Sequence, residues 1–249
     1  MAGRSPGGAE PGGREAPGRD EPDDARVVLA FDTATSVVVV ALGTAGGRLL
    51  AEDAWPADHR HGETLLPRIA RLLEASGVDR SAIEAVGVGT GPGAFTGLRV
   101  GLATAKGLAA GLGVPIVGVS TGELLIEAAA ALDGAPPERL VLLLPAGPSD
   151  RVVVRRGVPP ALLPGPSEPE VGRGERLVAV DLDGRAPPDA LERGEAARRG
   201  LGRVLFAAVG ARVRAGLADD LAELVPVYVT LPRGIRAAEE VEAWSPALR

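Results

Sequence analysis

The sequence predicts an α/β protein, a mixed sheet with helices packed on it. Two observations carry that reading. Three β-rich runs with tight connections stand at the start of the folded region, as in an antiparallel meander. Strands then alternate with helix-patterned segments, which gives the order βββαβαβα.

Each element has its own signature. Residues 26–33, RVVLAFDT, and 36–43, SVVVVALG, are short apolar strands flanking the turn residues Thr33, Ala34 and Thr35. Residues 48–55, RLLAEDAW, form the third strand after the turn TAGG. Residues 63–77 place Leu65, Leu66, Ile69, Leu72 and Leu73 at helical spacing, and Gly77 suits the C-terminus. Pro67 requires a first-turn position or a kink. Residues 83–89 read as a strand, 96–113 as a helix with Thr96 as N-cap, 114–120 as a strand and 121–134 as a helix. Residues 139–146 and 151–157 suit a hairpin. Residues 158–174 hold five Pro and three Gly and read as an extended loop, followed by a strand with a turn at 176–184. A helix is expected over 190–215, with Leu201, Leu205, Ala208 and Val209 on one face, and a terminal strand or extended arm over 224–232.

This divides the chain into a tail, 1–25, an N-terminal half, 26–120, a C-terminal half, 121–235, and a second tail, 236–249. The first 24 residues contain ten Gly or Pro and almost no large apolar side chain. They cannot offset ordering entropy and are expected to be disordered. They have no apolar stretch of the kind a signal peptide needs. No run of eighteen apolar residues exists, so no membrane span and a cytoplasmic location are expected.

Composition narrows the chemistry. The 249 residues are enough to bury about 70% of the unfolded surface without disulfide or metal. No Cys is present, which removes thiol catalysis, Fe–S clusters and zinc–thiolate sites. The net charge of −6 provides no global attraction for nucleic acid. Aromatics make up only 2% of the chain, too few for base-stacking platforms.

The densest motif is GTGPGAFTGLRVGLATAKGLA, residues 89–109, with six glycines. Something approaches this backbone closely, and a phosphate or another helix would both fit. Lys106 follows Ala105 and precedes Gly107, so the P-loop pattern fails. Gly89, Gly91 and Ala94 match the dinucleotide pattern, but the acidic residue expected about 20 positions later is missing and Pro92 removes an N–H. Gly97, Gly101, Ala105 and Ala109 recur every four residues and form one smooth helix stripe. Its neighbour is either the protein's own sheet or a helix from a second chain.

Other chemistry is sparse. FDTATS, residues 31–36, can be a phosphate-cradling hairpin built on Asp32, Thr33 and Ser36 with Gly91 and Gly93 beside it, or simply a good turn. HRHGE, residues 59–63, holds the two histidines, and a metal site needs three or four ligands. A solvated helix start is the plainer reading, with Glu63 favourable to the helix dipole. No catalytic set emerges.

LAFDTATSVVVVAL, HGETLLPRI, VGVGTGPGAFTGLRVGLATAKGLA and PIVGVSTGELL, within residues 27–125, and late in the chain PVYVTLP, taken together resemble the TsaB family. That resemblance implies an actin/Hsp70-like (ASKHA) fold of two ribonuclease-H-like halves. It implies a non-catalytic scaffold in the bacterial machinery that makes threonylcarbamoyladenosine in tRNA. Expected partners are a TsaD-like catalytic subunit, a TsaE-like ATPase and a second copy of the chain when alone, with tRNA reached only through the complex. ATP and a metal ion are expected in the partner subunits and no cofactor in this chain. The catalytic relative uses two histidines four apart for metal, whereas His61 is followed by Leu65. The implied partner surface comprises Leu65, Leu66, Ile69, Gly97, Gly101 and Ala105, with Leu98, Leu102 and Leu108 facing inward. PAGPSD, residues 145–150, departs from the family pattern and marks the C-terminal half as divergent. The alternative function is an independent ATP-binding enzyme of the actin-like or sugar-kinase superfamily.

Overall fold

The computed structural model describes residues 26–58 and 60–229. The tail 1–25, His59, and the segment 230–249 lie outside the described residues, so the readings placed on them have no counterpart below.

The first sheet is built from β1 (Val27–Asp32), β2 (Val37–Thr44), β3 (Leu49–Pro56), β4 (Ile83–Gly89) and β5 (Ile116–Val119), in the spatial order β3-β2-β1-β4-β5. β1, β2 and β3 pair antiparallel, while β4 lies parallel to β1 and to β5. The period-2 pleat separates two cores. Val27, Leu29 and Phe31 join Val38, Val40 and Leu42 on one face, whereas Val28 and Ala30 join Val39 and Ala41 on the other. Both faces are buried, which explains why β1 and β2 read as unbroken apolar runs.

The first face is covered by α1 (His61–Ala75) and α2 (Phe95–Leu112). Pro67 lies inside α1, beyond its first turn. Thr96 is not the cap of α2: Ala94 holds that position and makes no side-chain cap bond. α3 (Thr121–Asp133) is capped by Ser120, whose Oγ accepts from the Glu123 N–H at 3.3 Å.

The second sheet has the order β8-β7-β6-β9, from β6 (Leu140–Ala146), β7 (Asp150–Arg155), β8 (Val158–Leu163) and β9 (Arg176–Ala179). Its pairing repeats that of the first sheet one strand short. β8 corrects the extended-loop reading of residues 158–174. Pro159 and Pro160 lie on a sheet edge, where a missing N–H is tolerated.

α3 and α4 (Pro188–Arg214) lie between the sheets, against the core shared by Leu140, Leu142 and Leu144 of one and Val28 and Val39 of the other. The protein therefore has the expected two ribonuclease-H-like halves in an α/β fold with mixed sheets. α4 begins on the outer face of the second sheet with Ala190 and passes to the inner core by Ala197. Gly194 is the crossing point, because a Cβ there would fall on the Ala179 carbonyl of β9. Farther on, Val209 packs on Gly87 and Phe206 on Gly43, so the end of α4 belongs to the first sheet. Residues 215–229 follow as an extended arm, with Asp219 bridging Ile116 on the edge of β5. No strand forms between 224 and 229. The cut at 120/121 separates the sheets, but α4 and the arm return to the N-terminal one.

Candidate functional site

The turn after β1 and the glycine run after β4 meet at the same end of the first sheet. Asp32 is completely buried there. Its Oδ1 accepts the Ala34 N–H at 2.8 Å, and its Oδ2 accepts the Thr121 hydroxyl at 2.6 Å. Burial pushes the Asp32 carboxyl above its ordinary range, and the bonds from Thr121 and Ala34 oppose that shift. Thr121 Oγ1 in turn accepts the Gly91 N–H at 3.1 Å. Gly91 has φ +97°, a backbone region that a side chain would strain.

The glycine run is filled from within. A Cβ on Gly89 would overlap the Asp32 carboxylate, and one on Gly93 the Ala34 carbonyl. A Cβ on Gly97 would overlap the Thr33 carbonyl, and one on Gly101 the Thr33 hydroxyl. Thr33 Oγ1 donates to the Gly97 carbonyl at 2.8 Å, and the Ala94 N–H donates to the Ala34 carbonyl at 2.7 Å. What approaches the backbone closely is therefore the chain's own β1–β2 turn.

Two expectations are corrected by this packing. Gly97, Gly101 and Ala105 are buried and do not offer a face to a second chain. Asp32, Thr33, Gly91 and Gly93 do come together, but around one another, and no open phosphate seat lies between them. Ser36 stands apart, exposed, and bonds to Asp181. Thr121, Asp181 and Arg198 complete these contacts, and nothing in their sequence spacing pointed to residues 32 or 36.

The exposed face of α2 is displaced by two residues from the expected stripe. It runs through Ala103, Gly107 and Gly111, again four apart. A Cβ on Gly107 or Gly111 would meet nothing within 4 Å. Beside it on α1, Leu65 and Ile69 are buried and Leu66 is 50% exposed. Leu66, Ala70, Leu73, Gly107, Leu108 and Gly111 line a groove of about 520 Å³. Leu98 and Leu102 face inward as expected, whereas Leu108 is half-buried and lines this groove. Trp55 anchors α1, donating to Thr64 Oγ1 at 3.3 Å, with the Arg68 guanidinium 4.5 Å from its ring.

Gly107→Ala is expected to raise stability by about 0.5–1 kcal/mol, because the site is helical, exposed and unobstructed. Urea unfolding of both proteins checks this, and a loss of stability would show that the face is packed.

His61 and Leu65 are both buried on α1, and Leu65 stands where a second ligand four residues on would be needed. Among the described residues, no three His, Asp or Glu side chains are grouped to hold a metal. None of the described helices is long and apolar enough to cross a membrane.

A family model described as TsaD, tRNA N6-adenosine threonylcarbamoyltransferase, matches residues 56–158. The tRNA threonylcarbamoyladenosine biosynthesis protein TsaB of Escherichia coli is 38% identical over 108 residues, 43% of this chain and 46% of that protein. Its counterpart in Haemophilus influenzae is 36% identical over 108 residues, 43% of this chain and 45% of that protein. The chain thus spans about half the length of the curated relatives it matches. Among solved structures, YeaZ from Pseudomonas aeruginosa superposes with a TM-score of 0.63 at 27% identity, covering 82% of this chain and 99% of that one. The resemblance to TsaB read from the motifs is thus met by relatives of that name and by a matching fold.

Proposed function

We propose that this chain is a non-catalytic subunit of the machinery that builds threonylcarbamoyladenosine in tRNA, acting in the cytoplasm as a scaffold for a TsaD-type transferase. The observation that supports this reading most is the filled turn. The place where a related fold would cradle phosphate is taken up by Asp32, Thr33 and Ala34 packed against Gly89, Gly93 and Gly97. The similarity to TsaB supports the pathway, and the match to a TsaD model supports kinship with the catalytic subunit.

The surface proposed for the partner is the α1–α2 groove rather than the glycine stripe. Leu66 supplies apolar area, and Gly107 and Gly111 let a second helix approach closely. The same face serves a second copy of the chain when the transferase is absent. A TsaE-type ATPase joins the assembly through the pair. ATP and the metal ion reside in those partners, and tRNA is met through the complex.

Leu66→Glu tests the docking surface. The substitution is expected to weaken association with a TsaD-type subunit by at least about tenfold, equivalent to 1.4 kcal/mol. Its melting temperature should stay close to the parent's, since residue 66 is half exposed. Size-exclusion chromatography with light scattering and titration calorimetry read both quantities. Unchanged association would move the interface elsewhere. Tight nucleotide binding by the isolated chain would favour an ATP-using enzyme instead.

A further inference from the structure

A second polar junction lies beside the N-cap of α2, where the two halves face each other. Thr35, Ser36, Ala57 and Asp58 from the first half, with Asp181, Asp183 and Arg198 from the second, line a cleft of about 580 Å³. Among the described residues, Asp58 and Asp181 are the only non-glycine residues with positive φ, +45° and +58°. Both lie in the wall of this cleft. Left-handed backbone at a non-glycine residue is retained only where its surroundings hold it.

The contacts that hold Asp181 are specific. Its Oδ2 accepts the Ser36 N–H at 2.7 Å. Its Oδ1 accepts the Ser36 hydroxyl at 2.5 Å and Arg198 Nη1 at 2.7 Å. Arg198 Nη1 also donates to Ser36 Oγ at 2.6 Å, and its Nη2 meets Glu195. The Arg198 Nε–H is buried and has no acceptor among the described residues. A turn N–H, a hydroxyl and a guanidinium thus converge on one carboxylate. That donor set is suited to any oxyanion, and charge-assisted bonds of this kind are among the stronger ones in proteins.

We propose that the Asp181 carboxylate is an intramolecular plug. It occupies an oxyanion seat formed by Ser36 and Arg198, fastens the second half to the β1–β2 turn, and keeps free phosphate out of the cleft. Removing the carboxylate while keeping the donors uncovers the seat. The plug is independent of the partner surface on α1 and α2 and of the pathway in which the chain works.

The test is titration of the full chain with inorganic phosphate, followed by the Ser36 amide in a nitrogen-15 spectrum and by calorimetry. The parent protein should show no saturable response at Ser36. Asp181→Ala should bind phosphate at least about tenfold more tightly than the parent, with the Ser36 amide shifting. Adding Arg198→Ala to that variant should abolish the gain. Asp181→Gly is the companion variant, because glycine suits the left-handed backbone while also removing the carboxylate. A folded Asp181→Ala or Asp181→Gly protein that ignores phosphate overturns the proposal, and so does a parent protein that binds it at Ser36. Loss of folding in both variants also overturns it, because the Asp181 contacts would then be a structural tie and not the occupant of a seat.

Discussion

A Gly97→Ala protein is expected to be destabilised by about 3 kcal/mol, the upper end for overpacking. For a chain of this size that lowers the melting temperature by roughly 6–12 °C. The reason is local. The added methyl would fall on the Thr33 carbonyl, a backbone atom that cannot rotate away. Thr33 is itself held against the same residue, its hydroxyl bonded to the Gly97 carbonyl. Gly101→Leu should behave in the same direction, since its first carbon would meet the Thr33 hydroxyl and the rest of the side chain would have no space. Thermal melts of the two variants beside Gly107→Ala provide the comparison. All three change a glycine in one helix, so helix propensity alone would stabilise the alanine variants. Opposite signs at 97 and 107 separate a packed face from an open one. A Gly97→Ala protein with parental stability that fails only to associate would return the stripe to the partner surface.

That comparison also shows what was legible in the sequence. The four-residue period of small side chains in α2 was visible, and so was the need for a close neighbour. A period fixes a face only relative to itself, however, and α2 carries two such registers, 97-101-105 and 103-107-111. Choosing between them requires knowing where the β1–β2 turn lies, a contact between residues 64 apart. The strands of the first sheet were readable because burial on both faces leaves β1 and β2 almost wholly apolar. β8 was not, because Pro159 and Pro160 are turn signals in sequence and edge-strand residues in the sheet. Asp181 and Arg198 were hidden for the same reason as the turn. Their chemistry arises where three distant segments converge, and none of those segments has an unusual pattern of its own.

Asp32→Ala is the second substitution expected to have a large effect. It strands the Ala34 N–H and the Thr121 hydroxyl inside the protein, at about 1–3 kcal/mol for each buried donor left unmade. Asp32→Asn should be much milder at neutral pH. The amide keeps an oxygen for Ala34 and removes a negative charge that burial disfavours. The pH dependence follows from the same carboxyl. Its folded-state value is raised above the ordinary 3.8, chiefly by burial, so the folded protein holds the proton more tightly than the unfolded chain. The stability this contributes is fully present below the unfolded value and is lost as pH rises through the folded one. The stability of the parent minus that of Asp32→Asn should therefore fall as pH is raised from the unfolded value, then level off above the folded value. Urea unfolding of both proteins across acidic to neutral pH measures that difference. A difference that rises with pH would mean that the bonds from Thr121 and Ala34 outweigh burial, and that the ionised carboxylate is the form for which the turn is built.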